Sequence, residues 1–251
     1  MGTQGLFGYV IGRKKRLMHV QYDSDLLWQI LVREIYIIMK HYGSKEALKE
    51  AFEKIEIVKN NPKPDQIEKC KFFSDFDLLK DDKIDKWYGL LRYCQSSFIN
   101  LLEAGYILNE KNEYGFIFVL DLNKGLVKYY SKDHEGKIKE LDTATIEEIM
   151  SFDDMPTKSY TEIVTEMQDK FNIYYENLKQ LNEKLEKANN IIKITKQQGA
   201  ANIEDKAKTL LEDVKFEITI LNNSRRVFYN RLKALDLIDE PIEANKVTQT
   251  I

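Results

Sequence analysis

Cysteine, proline and histidine are scarce in this chain. Cys70 and Cys94 are the only cysteines among 251 residues, and they form no CxxC pair. That excludes a disulfide-framed scaffold and fits a reducing, cytoplasmic compartment. Four prolines and eleven glycines leave room for long uninterrupted elements and argue against a loop-rich fold. His19, His41 and His134 share no ligand spacing, and no Walker loop, GxGxxG, HExxH or GxSxG occurs. No cofactor and no metal are expected.

Charge of one sign is also missing. The net charge is -3, and from Lys158 onward 15 basic residues balance 15 acidic ones. Without a basic field, nucleic acid is not the expected partner. No long apolar run exists either. The most apolar stretch, Leu26 to Met39, is broken by Gln29, Arg33 and Glu34, so it reads as a buried helix and no membrane span is expected. The opening residues lack the basic segment and apolar run of a signal peptide.

What is present divides near Pro156. Before it, GLFGYVI (5–11) and KRLMHVQY (15–22) flank a polar turn and read as a β-hairpin. Asp23 or Ser24 then caps a helix ending at Tyr42–Gly43, and Ser44 opens an amphipathic helix with Leu48 and Phe52 inward. Short helices follow near 67–73 and across 84–104. A second hairpin turns at Asn123-Lys124-Gly125, and a further strand spans 137–141. Thr145 and Glu148 have capping-box spacing, as do Ser159 and Glu162.

After Ser159 the apolar period changes. Val164, Met167, Phe171, Tyr174, Leu178, Leu181, Leu185, Ala188 and Ile192 step by three and four without a fault. From Ala207 through Leu211, Val214, Ile218, Leu221, Arg225, Phe228, Leu232 and Leu235 the steps continue in the same style. Such a seam stays on one face only against a partner helix, so two helices of similar length folding back as a hairpin are predicted. Ile163, Tyr175, Leu210 and Ile220 lie off the seam and are expected to be exposed, available to a protein partner or to self-association. Arg225 in the seam is a candidate register device, or a side chain whose stem packs while its head reaches water.

The fold class expected is therefore α+β: a mainly antiparallel sheet with packed helices over residues 1–157, an antiparallel coiled-coil arm over 158–240, and a flexible tail over 241–251. Two charge clusters read as solvated loops. One is the hairpin tip Arg13-Lys14-Lys15-Arg16; the other is Asp75, Asp77, Asp81 and Asp82, which lack an EF-hand's glycine and terminal glutamate.

Met-Gly-Thr-Gln-Gly running straight into a strand also suits an N-terminal-nucleophile amide hydrolase. Cleavage after Gly2 makes Thr3 its own base through the α-amine, with Asp23 as an orienting carboxylate. At these residues the chain resembles a scattered family of uncharacterised proteins from large DNA viruses, phages, bacteria and fungi. Its members open with Met-Gly-Thr-Arg or Met-Gly-Thr-Gln and carry an Asp-Ser-Tyr-Pro or Asp-Gly-Tyr-Pro box. Gly2 to Gly5 match the opening and Asp23-Ser24 the start of the box, while Asp25-Leu26 replace its Tyr-Pro. Trp87 to Arg92 with Gln95, the hairpin Phe116 to Tyr130, and Met155-Pro156-Thr157 are similar to later segments of that family. The resemblance covers about 157 residues. It implies a viral or mobile-element origin and, for the hydrolase alternative, adds Arg92 and Gln95 near Thr3. It carries no established activity. The principal expectation is a non-enzymatic assembly component that works through its arm.

Overall fold

The structure is a computed structural model. It describes residues 3–20, 23–58, 61–73, 97–109, 115–198, 201–224 and 227–238. Among the described residues the strands are β1 (Gly5–Ile11), β2 (Lys14–Val20), β3 (Glu56–Ile57), β4 (Tyr106–Ile107), β5 (Phe116–Asp121), β6 (Leu126–Lys132) and β7 (Ile138–Thr145). The α-helices are α1 (Leu27–Tyr42), α2 (Lys45–Glu53), α3 (Pro64–Cys70), α4 (Phe98–Ala104), α5 (Ile146–Met150), α6 (Tyr160–Gln198), α7 (Ala201–Ser224) and α8 (Val227–Ala234). The chain splits into two compact units, with divisions after Thr165 and after Arg226.

In the first unit both expected hairpins form, and they share one sheet of order β2-β1-β5-β6-β7. The central β1–β5 pairing is parallel and the other three are antiparallel. Strand alternation sends Phe7, Tyr9 and Phe118 to one face, where helices bring matching aromatics. Phe98 of α4 meets Phe7 at 5.3 Å between centroids, and Phe52 of α2 meets Tyr9 at 4.7 Å. Trp28 of α1 lies 6.1 Å from Phe118. The opposite face carries a smaller cluster of Leu6, Leu17, Ile117 and Val119. At one end Asn123 joins the two hairpin turns. Its amide donates to the Gly12 carbonyl at 3.0 Å, and its oxygen accepts from the Gly12 amide at 2.8 Å.

The long α1 buries Ile30, Leu31, Ile35 and Ile38 and stops at Gly43, whose φ of 73° suits a residue without Cβ. Its start departs from expectation. Neither Asp23 nor Ser24 caps it; Asp23 takes a left-handed conformation, and a 3-10 turn at Ser24–Leu26 precedes the helix. β7 runs on to Thr145, beyond the strand expected at 137–141. Both capping boxes form: Glu148 accepts from the Thr145 amide at 2.7 Å, and Glu162 from the Ser159 amide at 2.8 Å.

The second unit is a hairpin of α6 and α7. The seam residues Phe171, Tyr174, Leu178, Leu181 and Ala188 of α6 are buried, as are Ala207 and Val214 of α7. The seam runs one step past Ile192 to buried Thr195, whose hydroxyl donates to the Ile191 carbonyl of its own helix at 2.9 Å. α6 has 39 residues, and the described part of α7 has 24. The later seam residues Leu232 and Leu235 belong to the first unit, where they are buried. No helix among the described residues is long and apolar enough to cross a membrane.

Candidate functional site

The flank of the hairpin is the leading candidate. On the usual heptad lettering, the α6 seam residues Phe171, Leu178 and Leu185 take position a, and Tyr174, Leu181 and Ala188 take d. In α7, Leu211 and Ile218 take a, while Ala207, Val214 and Leu221 take d. An antiparallel pair then sets both g rows along one flank and both e rows along the other, with c positions just outside g. Eight large apolar side chains of the described hairpin are exposed: Ile173, Tyr175, Ile191, Ile194, Ile203, Leu210, Phe216 and Ile220. Six of them take c or g. Only Tyr175, at e, and Phe216, at f, lie elsewhere. Apart from Ala201 at the start of α7, the e rows are otherwise polar, with Asn182, Asn189, Lys196, Lys208 and Lys215.

Between the helices on the apolar flank is a groove of about 350 Å³. Leu181, Leu221 and Ile220 give it an apolar lining, while Lys184 and Glu217 border it with opposite charges. Both of those residues occupy g. One heptad toward the loop, Ile191 and Leu210 take the same places, 40% and 44% exposed. The flank therefore sets one apolar pair beside one charged pair.

Of the side chains expected to be exposed, Tyr175, Leu210 and Ile220 are so. Ile163 is not. At 2% exposure it is buried in the first unit, because the first turn of α6 belongs to the globular core. In that turn Tyr160 donates to Glu103 at 2.6 Å and stacks on His41 at 4.3 Å. Arg225 lies outside the described residues.

The N-terminal corner is the second candidate. The Thr3 hydroxyl donates to the Asp25 carboxylate, and the Asp25 amide donates back to that hydroxyl at 3.3 Å. The carboxylate on Thr3 is thus that of Asp25 and not of Asp23, whose left-handed backbone turns the chain there. The Ser24 amide donates to the Thr3 carbonyl at 3.4 Å, and the Tyr129 hydroxyl donates to the Ser24 carbonyl at 2.9 Å. Burial, and then the nearby Asp25 and Asp142, push the Tyr129 phenol upward, so it stays a neutral donor. A Cβ on Gly5 would lie 2.6 Å from the Ser24 Cβ and 2.7 Å from the Phe116 carbonyl. The opening segment and the Asp23-Ser24 turn are therefore in direct contact. Arg92 and Gln95 lie outside the described residues.

A third arrangement went unpredicted. Glu34, fully buried on the apolar face of α1, accepts from the Phe98 amide at 2.6 Å and from the Ser97 side chain. Arg231 of α8, 4% exposed, stands 3.7 Å from its other oxygen. Burial lifts the Glu34 carboxyl above its ordinary range; Arg231 and the hydrogen bonds oppose that lift. The sequence does hold a signal. Glu34 shares a helix face with Ile30, Leu31, Ile35 and Ile38, and a charge among buried apolar neighbours needs a partner.

Two remaining groups have ordinary explanations. Burial pushes the Cys70 thiol up to about 12, so it is protonated at neutral pH. In the basic hairpin tip Arg13, Lys14 and Lys15 are exposed, but Arg16 folds inward and donates to Tyr9 at 3.0 Å and to the Ile55 carbonyl at 2.7 Å. No family model, no curated protein and no solved structure matches the chain.

Proposed function

We propose that this protein is a non-enzymatic assembly component whose working surface is the α6–α7 hairpin. One observation carries the reading: six large exposed apolar side chains fall on the c/g side of the hairpin, while Tyr175 is the one large apolar side chain in the described e rows. Apolar side chains beside an a/d seam, here Ile191, Ile203 and Leu210 at g, suit helices that pack on more than one neighbour, because a two-helix seam leaves the g row uncovered. The globular unit has an aromatic core of its own.

A photo-crosslinking residue placed at Leu210, and a control at Asn189 on the opposite flank, tests this in the expressing cell. Crosslinks are expected from position 210 to a protein, either another copy or a different chain, and few from position 189. Equal yields from both flanks, or none from position 210, would refute the assignment.

A further inference from the structure

We infer that the occupant of the apolar flank is a second copy of this chain, docked about a two-fold axis parallel to the hairpin. The inference rests on the arm being an interaction element and adds its partner and geometry. Under this symmetry α6 faces the second copy's α7, and each helix has antiparallel neighbours on both sides. The product is an up-down-up-down four-helix bundle whose interior takes the a, d and g positions.

The charges of the flank select this partner. Lys184 and Glu217 border one groove at equivalent g positions on the two helices. The two-fold axis sets Lys184 against the second copy's Glu217 and Glu217 against its Lys184, giving a ring of four charges that alternate in sign. It likewise sets Ile191 against the second copy's Leu210. A two-fold axis across the hairpin would bring Lys184 against Lys184, and that arrangement is disfavoured. Overall charge does not oppose the approach, since residues 166–224 hold ten acidic and nine basic side chains. The exposed Ile194 and Ile220 at c extend the contact outward from the g rows.

The test uses the full chain and two charge reversals, Lys184→Glu and Glu217→Lys. Both side chains are exposed, so helix content by circular dichroism should stay at the wild-type value. Light scattering should give twice the 29.6 kDa chain mass for the wild type. Each single variant makes the ring all of one sign and should raise the dissociation constant by about tenfold or more. An equimolar mixture of the two variants should recover the dimer, because each copy again faces the opposite charge. That recovery also shows that both variants are folded. A wild-type monomer at tens of micromolar, or a dimer indifferent to both reversals and to mixing, would overturn the bundle. If such a monomer still crosslinks from position 210 to a different protein, the arm remains an interaction element with another partner. No crosslink from position 210 removes both.

Discussion

At Glu34 a carboxylate has been taken wholly out of water, and what makes this tolerable is one arginine from the far end of the chain together with donors at the start of α4. Arg231→Met removes the only cation at that site among the described residues and keeps most of the side-chain volume. The carboxylate is then left buried with its hydrogen bonds alone, and a loss of about 3–5 kcal/mol is expected. Urea unfolding measures it, and the double variant Glu34→Leu/Arg231→Met should recover most of the loss. Gly8 is a second point of high sensitivity. A Cβ there would lie 2.0 Å from the Arg16 carbonyl, which belongs to the neighbouring strand and cannot swing aside as a side-chain tip can. Gly8→Ala should therefore destabilise by about 1–3 kcal/mol or more, read as a lowered urea midpoint with an unchanged slope.

Among the elements, the two capping boxes tie helix starts to pH. The Ser159 side chain and amide hold the Glu162 carboxylate below its ordinary value, and the Thr145 amide and hydroxyl do the same for Glu148. A depressed folded-state pKa gives stability that is complete above the unfolded value and is lost as pH falls through the folded one. Thermal unfolding across about pH 3 to 6 should show this. The variant Glu148→Gln/Glu162→Gln should lose less stability on acidification than the wild type, and equal slopes would refute the link. These boxes were legible in the sequence because a cap is a local pattern over four residues. The hairpins, the Gly43 stop and the α6 seam were legible for the same reason, as each follows from spacing within one element. The burial of Ile163 and the membership of Leu232 and Leu235 in the first unit were not. A four-three apolar rhythm describes a helix packed on another helix and a helix packed on a globular core equally well. Only the tertiary fold decides that Leu232 and Leu235 join the first unit. The Glu34–Arg231 pair is further from legibility still, since nothing in either local sequence names the other.

For the whole molecule, the arm and the globular unit have different stability problems. The globular unit closes its core with aromatics from α1, α2 and α4 on one sheet face. The hairpin closes only its seam and leaves apolar side chains exposed on its c/g flank. Disrupting the flank should therefore change assembly without changing the fold of the first unit. Ile191→Glu/Leu210→Glu is expected to abolish association in light scattering while leaving the near-ultraviolet signal of the aromatic core intact. Loss of that signal together with association would mean that the two units are not separable in this way.

Among the described helices both α1 and α8 contribute to the globular core, so its completion has a fixed place in the order of synthesis. Glu34 leaves the ribosome early, and Arg231 follows only after the whole of α6 and α7 has been made. A nascent chain therefore exposes a finished hairpin before it can bury its first carboxylate with its proper cation. Domains generally fold as units while the chain is being made. Here the globular unit receives its last helix, α8, only after the hairpin has been made, so its core is the last part of the described chain to be completed.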